Sequence, residues 1–354
     1  MTQEGAPPVL PTVTGFAARC AISALQKHTI AIAPLLHRAG LSERDFVDCQ
    51  HRISAAAQSK LLELAAEATD DSIFGLHLAE KSDARNVGIL FYVASGAKDL
   101  SEALALGARY CRIVNEAVRL KLTRTPDGLI IETNFVGVSR HGVRQNAEFI
   151  FAAFLKALRE VTGRNIRPVR VAFVHARNSK LREFERFFGC PVEFGRVVGD
   201  GASCDLLEFA NDTLGVPLVT ADAKLIEALR PFCDEAAKER KTAAGTLRAA
   251  VENEVEKLLP DGKAKMQTVA KTLALSVRTL SRRLADEGTT YGEIVDQLRR
   301  SLALQYLKEP GMSLSQIAWL LGYEGSTSFN HAFRRWAGRS PTEARNQRLL
   351  PGPA

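Results

Sequence analysis

The 354-residue sequence predicts an α+β domain in its first two thirds and an all-α domain in its last third, the latter carrying two helix-turn-helix units joined by a linker helix. Three observations lead there. Apolar spacing is helical from Phe16 to about Asn115, alternates between 118 and 136, and is helical again from Leu247 onward with no strand pattern. The stretch from Lys238 to Gly245 is charged, then small and glycine-containing, which suits a linker. The last third also holds a degenerate repeat, in which a short apolar helix, a turn and a second helix with two bulky apolar residues four apart occur twice. The expected boundaries are a loose, Pro- and Gly-rich arm at 1–14, the α+β domain at 15–240, a linker at 241–246 and the all-α domain at 247–350.

In chain order, Ser54 caps a helix whose apolar face is Leu61, Leu62, Leu64, Ala65 and Ala68, and Asp99 with Glu102 opens another that carries Leu104, Leu106, Ala108 and Ile113. Val118 to Leu122 alternates, Pro126 to Gly128 supplies turn chemistry and Leu129 to Val136 is apolar and β-branched, which predicts a hairpin. A long amphipathic helix follows from Arg144 to Thr162, ended by Gly163. Strands are expected at Val169–His175 and Cys204–Phe209, with a helix at Leu181–Phe188 between them and another at Asp222–Lys241 beyond. The sheet is antiparallel or mixed. Helix-to-sheet junctions leave concave apolar pockets, so Asn86 to Tyr92 and Val136 to Asn146 are candidate walls for a ligand, with Phe91 and Tyr92 as apolar contacts. Arg140, His141 and Arg144 cluster beside an apolar strand and suit an anionic ligand. Core packing and an ordinary solvated basic patch account for the same residues.

In the last third, Leu247, Val251, Val255 and Leu258 mark the buried stripe of a first helix. The first repeat unit runs from Val269 to Leu284. Val269, Ala270 and Leu273 pack its short helix, Ser276 caps the next, and Leu280 with Leu284 buries that one, leaving Arg278, Thr279, Ser281 and Arg282 on the opposite side. The second unit runs from Leu314 to Trp336. Ser313 and Gln316 form a capping box, Ile317, Ala318 and Leu321 face inward, and Phe329 with Phe333 buries the second helix. Ser326, Thr327, Ser328, Asn330 and His331 then face outward, with Arg334 and Arg335 beside them. Trp319, Tyr323 and Trp336 are expected to pack. Thr290 and Glu293 cap a helix of roughly 18 residues that spans about 27 Å, a length that suits holding two reading helices about one duplex turn apart.

Such outward faces, rich in guanidinium and hydroxyl groups near a helix N-terminus, are what a major groove accepts, because Arg pairs with both guanine acceptors. Charge distribution agrees. The 47 Lys and Arg and 40 Asp and Glu give a net charge of +7, and Lys241 to Ala354 holds 17 basic against 11 acidic residues, so the surplus sits in the last third. The six cysteines are scattered without a Cys-x-x-Cys pair, and the expectation is reduced thiols with no disulfide framework, metal or cofactor. No apolar run is long enough to span a membrane and no leader pattern opens the chain, which places the protein in the cytoplasm.

The pattern I-A-x-x-L-G-Y from Ile317, then Ser328 and Phe329, then A-F-R-R-W-x-G-x-S-P up to Pro341 resembles the signature of the AraC/XylS family of transcription regulators. The N-terminal region resembles the arabinose-binding-type effector domain of one branch of that family. The resemblance covers about 100 residues at the C-terminus. It implies a seven-helix domain that binds double-stranded promoter DNA, a small-molecule effector, activation through RNA polymerase, and no enzymatic activity. By position, Arg278, Ser281 and Arg282 match base-contacting places of the first unit, and Thr327, Ser328 and His331 those of the second. Many members carry Arg where this chain has His331. The leading expectation is therefore an effector-controlled activator that dimerises through residues 12–240. The competing readings are an effector-independent DNA-binding scaffold and a DNA-tethered repair enzyme, and the latter would need clustered or activated cysteines.

Overall fold

The structure, a computed structural model, describes residues 11–48, 51–138, 140–176, 180–195, 204–240, 247–260, 262–307 and 312–346. The chain divides into two compact units, the first made of Met1–Val138, Gly142–Ala176 and Lys180–Gly245 and the second mainly of Thr246–Ala354. The expected linker at 241–246 lies outside the described residues.

The first unit runs β1 (Thr12–Val13), α1 (Phe16–Lys27), α2 (Ala33–Ala39), β2 (Ile53–Ser54), α3 (Ala55–Ala68), α4 (Phe74–Lys81), α5 (Ile89–Ser95) and α6 (Leu100–Val114). It continues with β3 (Val118–Arg124), β4 (Gly128–Phe135), α7 (Arg144–Thr162), β5 (Arg170–Phe173), α8 (Leu181–Phe188), β6 (Val192–Phe194), β7 (Asp205–Ala210), α9 (Asn211–Leu214) and α10 (Ala223–Glu239). Five strands form one sheet in the order β3-β4-β7-β5-β6. The β3–β4 hairpin pairs Val118 with Phe135 through Arg124 with Leu129. Its turn is closed by the Thr125 N–H donating to the Gly128 carbonyl at 2.9 Å and the Gly128 N–H donating to Thr125 Oγ1 at 3.0 Å. All ladders are antiparallel except β5–β6, which is parallel, so the sheet is mixed.

Two features were not anticipated. The arm expected over residues 1–14 is outside the described residues only up to 10; from 11 on it is held, with β1 paired antiparallel to β2. Thr12 is further fixed by Glu116, whose carboxylate accepts from the Thr12 N–H at 2.9 Å and from its hydroxyl at 3.0 Å. The second is β6, three residues added to the sheet edge directly after Cys190 and Pro191. Strands of two or three residues carry too few alternations to register as a period.

The second unit is helical throughout its described residues: α11 (Leu247–Leu258), α12 (Met266–Thr272), α13 (Val277–Asp286), α14 (Tyr291–Tyr306), α15 (Leu314–Leu320), α16 (Ser326–Ala337) and α17 (Pro341–Asn346). Its core joins Val251, Val255 and Leu259 of the α11 region to Leu280 and Leu284 of α13 and to Phe329 and Phe333 of α16. Leu259, at 1% exposure, takes the innermost place expected of Leu258. At about 25 cal/mol per Å² of apolar surface removed from water, that shared core is what holds these short helices. Helices of seven to twelve residues are marginal alone.

Candidate functional site

The two repeat units are built alike. In the first, the Ser276 hydroxyl caps α13 by accepting from the Thr279 N–H at 3.1 Å. Leu280 and Leu284 are fully buried, so the helix has one fixed roll. That roll leaves Arg278, Ser281 and Arg282 exposed on successive positions of the opposite face. Thr279 is half-buried, with Oγ1 2.8 Å from the Ser276 hydroxyl, so it supports the cap as well as facing outward.

In the second unit, Ser313 and Gln316 form a reciprocal capping box, at 2.8 Å from the Ser313 N–H to Gln316 Oε1 and 3.1 Å from the Gln316 N–H to Ser313 Oγ. Phe329 and Phe333 are fully buried, edge to face with centroids 5.8 Å apart. Thr327, Ser328, His331, Arg334 and Arg335 are exposed, while Ser326 and Asn330 are half-buried. Arg335 donates to Asp296 on α14 at 3.2 Å, which ties its guanidinium to the linker helix. The structure thus gathers the predicted residues into two polar faces, one on α13 and one on α16. Against expectation Trp319 is 59% exposed, whereas Tyr323 and Trp336 pack with centroids 6.4 Å apart.

Arg299 of α14 was not singled out from sequence. It donates through Nε to the Leu321 carbonyl at 3.0 Å and through Nη2 to the Gly322 carbonyl at 3.4 Å, and stacks over the Tyr323 ring at 4.6 Å. It therefore clamps the turn between α15 and α16 onto the linker helix. Nothing in local spacing marks one arginine among several on a helix as such a clamp.

The first unit contains an almost wholly apolar cavity of about 220 Å³. Phe91 lines it, but Tyr92 is 44% exposed and is not part of the lining. Arg144 does not reach the cavity lining; it lies 3.7 Å from Glu63, a carboxylate that also accepts from the Gln145 N–H. The side chains of Arg140 and His141 lie outside the described residues. Of the three expected ligand contacts whose side chains are described, Phe91 lines the cavity and Tyr92 and Arg144 do not.

Sequence reasoning missed Thr133 as a cavity residue, although a signal was there. It occupies the inward register of β4 among Leu129, Ile131 and Phe135, where an apolar residue is the rule.

Burial pushes the thiols of Cys20 and Cys190 up to about 11 and raises those of Cys111 and Cys233, the opposite of what an activated cysteine nucleophile needs. No helix among the described residues is long and apolar enough to cross a membrane.

Paired helix-turn-helix units on one core, following an α+β unit with an apolar pocket, are the arrangement of a DNA-binding transcription regulator. Residues 30–218 match the family described as the arabinose-binding domain of AraC transcription regulator, N-terminal, and residues 269–347 match a helix-turn-helix domain family. The chain belongs to the AraC family of transcription regulators. It is 29% identical over 296 residues to the HTH-type transcriptional regulator VirS of Mycobacterium tuberculosis, covering 83% of this chain and 84% of that one. It is 27% identical over 301 residues to the ornithine utilization regulator of Pseudomonas aeruginosa, covering 83% and 84%. The crystal structure of the transcriptional regulator CdpR from Pseudomonas aeruginosa aligns with a TM-score of 0.47 at 23% identity, over 94% of this chain and 98% of that one.

Proposed function

We propose that the second unit reads two segments of promoter DNA, with Arg278, Ser281 and Arg282 of α13 and Thr327, Ser328 and His331 of α16 facing bases. Thr279, Ser326, Asn330, Arg334 and Arg335 serve the phosphates or the helix starts. One observation carries this reading: each helix buries an apolar pair four residues apart and thereby leaves exposed Arg278, Ser281 and Arg282 on one and Thr327, Ser328 and His331 on the other. Residues 247–350 act as the DNA-binding domain and residues 15–240 as the effector and dimerisation domain of a cytoplasmic homodimer. It activates transcription by contact with RNA polymerase and catalyses no reaction.

The test is a mobility-shift titration of the full chain on the DNA upstream of its own gene, beside an unrelated duplex of equal length. Binding tighter on the upstream DNA by at least 10³-fold is expected of a specific regulator. Raising salt from 50 to 200 mM should weaken both complexes steeply, by about 10³-fold for six neutralised phosphates. Equal affinity for the two duplexes would reduce the protein to a non-specific DNA binder.

A further inference from the structure

The cavity of the first unit is a consequence of small residues set at helical spacing. On α6, Ala103, Gly107 and Cys111 follow one another at four-residue steps along its wall, and α7 contributes Ala153 and Ala157 at the same step. A Cβ added at Gly107 would meet nothing within 4 Å. Protein interiors are close-packed with few voids larger than a water molecule, so a partly open apolar space of about 220 Å³ reaching into this core is a built feature of it.

Its chemistry is one-sided. None of the described residues that line it carries a charge; the walls are Phe, Leu, Ile, Val and Ala with a few neutral polar side chains. Most of those polar groups are already engaged. Gln58 Oε1 accepts from the Ala18 N–H, Asn115 Oδ1 accepts from the Ala117 N–H, and the Ser95 hydroxyl donates to the Tyr92 carbonyl. Two buried atoms are left over: Thr133 Oγ1 and Asn146 Oδ1 have no hydrogen-bond partner. Thr133 is 1% exposed and Asn146 3% exposed, and both residues line the cavity. Asn146 is held in place from its other end, where Nδ2 donates to Ser59 Oγ at 3.3 Å. A buried polar group without a partner is costly, and native proteins leave few of them.

We propose that this cavity is the effector site and that it takes an uncharged, mainly apolar molecule of about eight to ten non-hydrogen atoms bearing one hydroxyl or N–H group, which Asn146 Oδ1 and Thr133 Oγ1 recognise. The size follows from scaling the roughly 150 Å³ apolar cavity that admits benzene. The charge follows from the lining. A carboxylate or ammonium would enter with no counter-charge, and a sugar would bury several hydroxyls against only two unused polar atoms. This proposal rests on the reading of the protein as an effector-controlled regulator and names the class of effector.

The experiment uses the purified full chain and four probes in calorimetric titration: 4-ethylphenol, ethylbenzene, 4-ethylbenzoate and L-arabinose. The expected result is saturable binding of 4-ethylphenol, weaker binding of ethylbenzene, and none of 4-ethylbenzoate or arabinose. Gly107→Leu, which fills the space from a helical position, should weaken 4-ethylphenol at least tenfold. Thr133→Val, nearly the same shape without the hydroxyl, should weaken 4-ethylphenol about fivefold and leave ethylbenzene within twofold. Binding of arabinose or 4-ethylbenzoate as tight as that of 4-ethylphenol would overturn the proposal. So would no binding of either neutral aromatic probe, or a Thr133→Val variant that weakens both neutral probes alike. Mobility shift of the ligand-free chain, run in parallel, separates the two levels. DNA binding with no probe binding sinks this proposal alone, and loss of sequence-specific DNA binding sinks the reading beneath it.

Discussion

An exposed arginine on a reading helix contributes to DNA affinity either by pairing with a base or by neutralising a phosphate, and the two leave different signatures. Arg282 is exposed on the face of α13 opposite fully buried Leu280 and Leu284. If it pairs with guanine, Arg282→Ala should cost about 1–3 kcal/mol on the specific site, or about 10- to 100-fold, and little on an unrelated duplex. A mobility shift that shows equal loss on both duplexes would assign it to the backbone instead.

Two turn residues make an opposite-signed pair. Gly322 has φ 70°, and an added Cβ would run into the Leu259 carbonyl, whereas the corresponding turn of the first unit places Ala274 at φ 53°. The correspondence is exact enough to see in the backbone bonds: Leu275 N–H to the Ala270 carbonyl at 2.8 Å, Tyr323 N–H to the Ala318 carbonyl at 2.9 Å. Gly322→Ala is expected to destabilise by about 2 kcal/mol. Ala274→Gly trades a left-handed cost of about 1–2 kcal/mol for an entropic cost of about 0.5–1 kcal/mol, and should stabilise by about 0.5 kcal/mol. Urea unfolding of the two variants checks both signs.

At the scale of elements, the second repeat unit depends on a residue that faces no DNA. Arg299 holds the α15–α16 turn by two carbonyl hydrogen bonds and a ring stack. A lysine keeps the charge but not the fork or the planar stack. Arg299→Lys should therefore lower stability by about 1–2 kcal/mol and weaken specific DNA binding through misplacement of α16, while the salt dependence of binding stays unchanged. A steeper or shallower salt slope in this variant would mean that Arg299 itself meets phosphate.

The helices and the hairpin were legible in the sequence because each announces itself locally. The α8 residues Leu181–Phe188 lie between a strand and a glycine, α7 carries one long apolar stripe ended by Gly163, and both repeat units have a capping serine and an apolar pair four apart. The short strands β1, β2 and β6 owe their existence to partners remote in sequence, such as Glu116 for Thr12, and no local period encodes that. The cavity was illegible for the same reason. Ala, Gly and Cys at four-residue steps are ordinary helix content, and only the assembled walls reveal that nothing fills the space between them.

On the scale of the whole molecule, an effector acts only if it binds two states of the chain unequally. The cavity wall includes Val13 and Asn115, the immediate neighbours of Thr12 and Glu116, and Thr14 next along the chain. Glu116 is 7% exposed and holds Thr12 by two hydrogen bonds, with Arg52 at 3.6 Å and Arg240 at 3.8 Å. Arg52 in turn donates to Thr12 Oγ1 at 2.8 Å and to the Ile113 carbonyl at 2.8 Å, and burial together with Arg240 pushes its guanidinium below the ordinary value while Glu116 pulls it back. Arg240 is the last described residue before 241–246, and its carbonyl accepts from Arg112 Nη2 at 2.7 Å. One buried carboxylate thus ties the cavity wall to the end of the first unit. Glu116→Gln keeps the size and an acceptor but leaves two arginines without their counter-charge, which should cost about 3 kcal/mol of stability. Allosteric coupling of ordinary size changes affinity about 5- to 150-fold. In the wild-type chain 4-ethylphenol should shift affinity for the upstream DNA within that range. In Glu116→Gln the ligand should still bind within about threefold, since no lining residue is altered, while its effect on DNA affinity falls below about twofold. Linkage supplies an independent check, because DNA must change the affinity for 4-ethylphenol by the same factor in each protein. A Glu116→Gln chain that binds the ligand and responds to it as fully as wild type would show that the signal leaves the cavity by another wall.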